Sequence, residues 1–228
     1  RGGHLADPLP GPTVKATDHL EGLPFPPDRF QLEAAAAFDR GESVVVAAPT
    51  GSGKTLVAEA AIASVVAGGR RAVYTTPIKA LSNQKFGDFR EAYGAGSVGL
   101  LTGDNSINGS APIVVMTTEV LRNMMYADSP DLADLGVVVL DEVHYLQDRA
   151  RGAVWEEIII HLDRVIPLVC LSATVPNAAE FSKWVTPRRG RTALVVETER
   201  PVPLDSAYLV RDRWESGHLR LMDVFDGD

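Results

Sequence analysis

The sequence predicts an α/β domain built on an open, doubly wound, mostly parallel sheet with helices on both faces. Three observations carry that prediction. Apolar runs of strand length recur along the chain, at "SVVVAAP", "RAVYTTP", "VGLLTGD", "PIVVMTT", "GVVVLDE", "PLVCLSAT" and "TALVVET". Most are continuous rather than alternating, the pattern of strands covered on both faces. Helix-like stretches separate them, and crossovers of that kind set successive strands parallel.

Taken in order, residues 1–28 ("RGGHLADPLPGPTVKATDHLEGLPFPPD") are rich in proline and glycine and show no apolar period, so they predict an extended arm or linker. The domain proper is expected over residues 29–200. Its first strand runs through a glycine loop into the helix "GKTLVAEAAIASVVAGG", closed by Gly68 and Gly69. A second helix is expected at "KALSNQKFGDFREAY". In "GAVWEEIIIHLD", Val154, Trp155, Ile158, Ile159 and Leu162 recur at one-turn spacing and predict a buried stripe. Residues 201–228 are expected to be a connector, and no internal repeat is present.

The chain has 228 residues, 45% apolar and 23% charged, enough apolar material for a substantial core. Its net charge of -8 sets a surface that as a whole repels nucleic acid, so such binding would need a local basic strip or backbone amides. The one cysteine, Cys170, lies in the apolar run "IPLVCLSAT" and has no internal partner. It reads as a small buried hydrophobe in a reducing compartment, not a catalytic thiol. No apolar run approaches the ~18 residues of a membrane span and no signal segment opens the chain, so a cytoplasmic location is expected. Because the chain starts at Arg1 and stops at "DVFDGD" without an ending signal, it is expected to be part of something longer.

The chemistry begins at "APTGSGKT". Pro49, Thr50, Gly51, Ser52 and Gly53 form a loop of little bulk between a strand and a helix, so its N–H groups can turn inward around anionic oxygens at the positive end of a helix dipole. Lys54 would reach the outer phosphates of ATP and the Thr55 hydroxyl would hold Mg2+. The strict phosphate-loop pattern opens with glycine, and here that place is Ala48. In "GVVVLDEVHYL", Asp141 and Glu142 stand where a buried strand ends, on the same sheet edge. Asp141 is expected to hold the metal, directly or through water, and Glu142 to orient and deprotonate the water that attacks the γ-phosphate. A solvated Asp-Glu turn is the alternative. A kinase would need a second substrate pocket and no catalytic glutamate, so hydrolysis is the better reading.

With these residues placed, the chain resembles the first RecA-like lobe of superfamily two helicases. "RFQLEA", "APTGSGKT", "TTPIKALSNQKF", "TGD", "MTTEVLRN", "DEVH" and "SAT" occur in that family's order from about residue 25 to 175. "DEVHYL", "RGAVWEE" and "SATVPNAAEFSKW" are similar to the superkiller branch, the DEVH-box RNA helicases, and to its HelY-type bacterial members. The resemblance implies a P-loop NTPase fold, ATP and Mg2+ as cofactors, and single-stranded nucleic acid as partner, RNA favoured over DNA. It also implies a second RecA-like lobe and further C-terminal domains in the parent chain, with RNA-degradation machinery as a possible partner. No second phosphate-binding or arginine-bearing lobe fits after "VPLDSAYLVRDRWESG".

The resemblance assigns Gln31 as adenine reader, a role its amide can fill against the N6 and N7 edge. Phe25 either stacks on the base or pins the arm to the domain. Ser172 and Thr174 match the motif joining hydrolysis to movement, with His144 as their partner near the γ-phosphate or else a satisfied core histidine. Pro77, Lys79, Thr102, Gly103, Thr118 and Arg122 match the strand-contacting motifs. Thr118 is a helix N-cap candidate, and amides exposed there can bind backbone phosphate without net positive charge. For Lys79, Lys85 and Arg122 the alternative is a solvated helix face. Two rivals stand beside the RNA helicase: a DNA helicase or translocase of the same superfamily, and a nucleotide-gated RNA-binding scaffold without turnover.

Overall fold

The structure, a computed structural model, describes residues 14–148, 152–173, 178–202, 207–211 and 219–223. Its main sheet has strands β1 (Ser43–Ala47), β2 (Arg71–Thr76), β3 (Val98–Thr102), β4 (Asn105–Ile107), β5 (Ile113–Thr117), β6 (Leu135–Leu140), β7 (Leu168–Ser172) and β8 (Thr192–Val196). They lie in the order β4-β3-β5-β2-β6-β7-β1-β8. Only the β3–β4 pairing is antiparallel. All seven apolar runs are strands. The exception, β4, is a three-residue exposed edge strand with no apolar run to announce it.

Successive residues of a strand point to opposite faces, so a continuous run feeds two cores at once. Val44 and Val46 of β1 pack with Tyr74 of β2 and Val137 and Val139 of β6 in one cluster, together with residues of α1 (Ala16–Glu21), α2 (Arg29–Asp39), α3 (Lys54–Ala67) and Phe89 of α4 (Lys79–Tyr93). Val45, Val73, Val138 and Cys170 belong to the other cluster, with Leu121 of α5 (Thr118–Tyr126), the stripe of α6 (Gly152–His161) and Val185 of α7 (Ala178–Arg189). Each fully buried Val or Leu in these clusters contributes about 1.5–3 kcal/mol. Together they hold the sheet between its two helical layers.

The extended arm predicted over 1–28 is a helix across Ala16–Glu21. Ala16 and Leu20, one turn apart, are both buried. Asp39 of α2 caps the helix, accepting from Ala16 N at 2.7 Å, Thr17 N at 3.1 Å and the Thr17 hydroxyl at 2.8 Å. Helix order here comes from tertiary partners, which a reading of proline and glycine content does not see. Likewise the connector predicted at 201–228 contains an antiparallel hairpin of β9 (Ala207–Arg211) and β10 (Leu219–Asp223).

Cys170 lies in the centre of β7, fully buried, and burial pushes its thiol up to about 12. The thiolate is the reactive form, so the folded chain is expected to resist alkylation by iodoacetamide near neutral pH and to be labelled quantitatively once denatured. Mass spectrometry before and after denaturation checks this, and rapid labelling of the native chain would contradict it.

Candidate nucleotide site and nucleic-acid surface

Strand β7 lies between β1 and β6, so three adjacent strand ends bring together the phosphate loop, Ser172 and the Asp141–Glu142 pair. Backbone bonds stitch the row: Ala48 N donates to Ser172 O at 3.1 Å, Glu197 N to Ala47 O at 2.9 Å, and Asp141 N to Thr75 O at 3.0 Å.

The loop turns at Gly51 and Gly53, whose φ angles of 84° and 81° lie in the left-handed region that glycine adopts without strain. A Cβ on Gly53 would also come within 2.7 Å of Gln31 Nε2. Gly53 is the N-cap of α3, and the first amides of that helix lack intrahelical partners, leaving them available to an anion. The Ser52 hydroxyl and the Lys54 ammonium both donate to Pro49 O, at 2.7 and 3.0 Å. Burial lowers the pKa of Lys54, while Glu142 and Asp141 oppose that shift, which places the cation and both acids in one electrostatic field.

Asp141 and Glu142 follow β6 in a tight turn. Glu142 is in the left-handed region, with φ 53° and ψ 42°, and its N–H donates to Asp141 Oδ1 at 2.8 Å. A non-glycine residue held there is uncommon and marks a backbone constrained by its surroundings. Burial and Asp141 raise the pKa of Glu142, against the pull of His144 and Lys54. Glu142 Oε2 lies 3.1 Å from His144 Nδ1, yet both buried atoms lack a hydrogen-bond partner. The Ser172 hydroxyl is also buried and unpartnered. Thr174 lies outside the described residues.

For Mg2+ the fit rests on donor chemistry. Asp141 and Thr55 supply hard oxygens, and Mg2+ characteristically takes one or two carboxylates with substrate phosphates and water. Among the described residues no group of three His, Cys, Asp or Glu forms an all-protein metal cage.

Gln31 is buried at 4% exposure. Its Oε1 accepts from Asp28 N at 2.8 Å and its Nε2 donates to Gly53 O at 3.2 Å, so the amide ties the start of α2 to the phosphate loop. One lone pair of Oε1 and one N–H of Nε2 remain for an adenine edge. Phe25 is 52% exposed, available to a base and not buried as an anchor.

The strand-contacting set separates. Pro77, Lys79 and Gly103 border one hollow of about 460 Å³, with Asp104, Thr117 and Asn123. Lys79 is paired there with Asp104. Thr102 is largely buried and donates to Asp104 Oδ1 at 3.1 Å. Arg122 borders a separate hollow and lies 3.7 Å from Glu157. Thr118 differs from expectation: α5 starts at Thr118, the cap position belongs to Thr117, and no side chain caps the helix. Thr118 is 1% exposed, and its hydroxyl donates to Thr76 O at 3.0 Å. The motif reading missed Tyr74, whose hydroxyl donates to Asp141 Oδ2 at 2.6 Å. The available signal was a phenol inside a fully covered strand, where its O–H must find a partner.

Sheet order, glycine loop and acidic strand end together define a P-loop NTPase lobe with the RecA-like fold. Comparison with known proteins narrows the class: the model of the DEAD/DEAH box helicase family matches residues 28–181, and the chain belongs to that family. It is 55% identical over 206 residues to the probable helicase HelY of Mycobacterium leprae, covering 90% of this chain and 22% of HelY. The chloroplastic DExH-box ATP-dependent RNA helicase DExH15 of Arabidopsis thaliana is 57% identical over 183 residues, covering 78% of this chain and 16% of that one. The antiviral helicase SKI2 of Saccharomyces cerevisiae is 48% identical over 183 residues, with 80% of this chain and 14% of SKI2 covered. These relatives place the chain with the superkiller and HelY type of DExH helicase. It spans about a fifth or less of their lengths. Among solved structures, the DUF1998 helicase MrfA bound to DNA and AMPPNP superposes with a TM-score of 0.65 at 23% identity, over 80% of this chain and 28% of MrfA, a likeness of fold.

Proposed function

We propose that the chain is the ATP-binding lobe of an ATP-dependent RNA helicase, in which hydrolysis drives movement on, or unwinding of, RNA. The observation that carries the proposal is the row of adjacent strand ends bearing Lys54, Ser172 and the Asp141–Glu142 pair. In this reading the glycine loop and Lys54 bind the β- and γ-phosphates, and Thr55 with Asp141 holds Mg2+, which when bound offsets phosphate charge. Glu142 takes the proton of the attacking water, and Ser172, Thr174 and His144 report the γ-phosphate to the rest of the molecule. Gln31, with Phe25 against the base, would complete the nucleotide pocket.

The nucleic acid would lie over Pro77, Lys79 and Gly103, with Thr102 and Thr118 supporting those loops and Arg122 at the border. Contacts of this kind address sugar and phosphate, so they carry little sequence preference. RNA is favoured by the relatives named as RNA helicases. A DNA helicase or translocase is the second reading, favoured by the MrfA complex with DNA. The deciding contact to a 2′-hydroxyl leaves no motif. A second RecA-like lobe, further C-terminal domains and association with RNA-degrading machinery, in the cytoplasm, belong to the same proposal. No helix among the described residues is long and apolar enough to cross a membrane.

ATPase assays of the full-length protein with single-stranded RNA and DNA of equal length test the choice. Greater stimulation by RNA supports the RNA helicase, and equal or greater stimulation by DNA overturns the preference. Turnover that is absent with either would favour the scaffold. The chain by itself is expected to hydrolyse ATP very slowly and unwind nothing, because one side of the γ-phosphate stays open to water. It also lacks an arginine from an opposing lobe, worth roughly 10³–10⁵ in rate in related phosphoryl-transfer enzymes. Stimulated turnover by the chain alone near the full-length rate would contradict the one-lobe reading.

A further inference from the structure

Tyr74 occupies the middle of β2, fully buried, in register with Val139 of β6. The next residue, Thr75, pairs with Leu140, and its carbonyl accepts from Asp141 N at 3.0 Å. Asp141 is therefore held at three points. Its backbone N–H is bound to Thr75, its Oδ1 accepts from Glu142 N at 2.8 Å, and its Oδ2 accepts from the Tyr74 hydroxyl at 2.6 Å. The phenol ring also makes a T-shaped contact with Phe89 of α4, with centroids 5.1 Å apart and planes at 84°.

A carboxylate offers about four lone-pair sites, and two are committed to these donors. The remaining two keep a single orientation, because rotating the carboxylate would break both bonds. Mg2+ demands near-octahedral geometry, so a fixed ligand, whether it touches the ion or one of its waters, is worth more than a mobile one. A buried phenol is also an economical donor for this task. It adds no charge beside the metal, and its ring belongs to the hydrophobic cluster that shapes the sheet.

We infer that Tyr74 is a positioning residue for metal binding, orienting Asp141 through the Oδ2 hydrogen bond. The inference rests on the assignment of Asp141 as the metal-holding acid. Outer-shell partners of metal ligands typically tune affinity by roughly 10–100-fold. The test is a Mg2+ titration of ADP binding by the chain, followed by a fluorescent nucleotide, with a parallel measurement in EDTA. Tyr74→Phe is expected to raise the Mg2+ concentration for half-maximal tightening about tenfold, near the lower end of that range. Affinity for ADP in EDTA should not change, since the ring and the phosphate loop remain. Phe89→Leu, which loosens packing but keeps the hydroxyl, should leave the Mg2+ half-point within about twofold of the original, a margin well below that outer-shell effect. A Tyr74→Phe half-point within the same margin overturns the inference. So does a Phe89→Leu shift as large as that of Tyr74→Phe, or equal losses with and without Mg2+. Asp141→Asn separates this inference from its foundation. If that variant still tightens on ADP with Mg2+, the assignment of Asp141 fails and takes the Tyr74 role with it. If it loses the tightening while Tyr74→Phe behaves as the original, only the Tyr74 role falls.

Discussion

Replacing Lys54 with alanine is expected to lower ATP turnover in the full-length protein by at least roughly 10²–10³-fold, the cost of losing one preorganised donor at a developing charge. Lys54 is the loop's one side-chain cation. Its half-buried ammonium is aimed across the loop at Pro49 O, and it shares a field with Asp141 and Glu142. An ammonium has three donors, so it can keep the Pro49 contact and still bind a β- or γ-phosphate oxygen. Alanine removes that compensation where water is partly excluded and each charge interaction counts for more than in bulk solvent. The loop turns at Gly51 and Gly53 do not depend on the side chain, so the fold should survive. Steady-state ATPase measurement at saturating nucleic acid is the check, with melting of the variant as the control. Near-normal hydrolysis would end the phosphate-loop assignment.

Glu142→Gln is expected to separate binding from chemistry. Glutamine keeps the size and shape of the side chain, and the backbone bond to Asp141 Oδ1 is untouched. It cannot accept the proton of the attacking water. Because a positioned general base is typically worth 10²–10⁴-fold, hydrolysis should fall by roughly that amount while ATP affinity stays within a few-fold of the original. The left-handed backbone at residue 142 is compatible with either side chain, since neither is branched at Cβ. Equilibrium nucleotide binding and single-turnover hydrolysis, measured on the same preparation, make the comparison. Joint collapse of binding and hydrolysis would make Glu142 a structural or metal-holding residue and reverse the division of labour between the two acids.

Strand identity and the ATP motifs were legible because each leaves a local trace. Continuous valine runs announce two-sided burial, and "GSGK" announces a turn that needs bare backbone. What escaped depended on distant parts of the chain. The helix over 16–21 requires Asp39 and the face of α3, and no window around residue 16 contains them. Gln31 was singled out for a base, and its added tie to Gly53, 22 residues away, lies in no local window. Thr118 looked like a cap from composition alone. Whether its hydroxyl turns toward its own helix or toward Thr76 is decided by the pairing of β2 with β5. Tyr74 was hidden for a different reason: a phenol in an apolar strand reads as core, and its polar tip gains meaning only when β2 and β6 are known to be neighbours.

The phosphate loop is bound to itself and to Gln31 through the Ser52 hydroxyl, the Lys54 ammonium and the Gly53 carbonyl. Fixing one backbone residue costs roughly 1–2 kcal/mol in lost conformational freedom, so a loose loop of this length would spend several kcal/mol on becoming ordered around each nucleotide. Here most of that entropy was surrendered when the chain folded. Little of the affinity for the phosphates is then diverted into shaping the loop, and a nucleotide that leaves does so without a compensating gain in backbone disorder at the site. If the lobe binds and releases ATP as proposed, this separates two demands on the fold: the loop's shape is held by its own bonds, and the conformational change of a cycle falls to whatever closes over it.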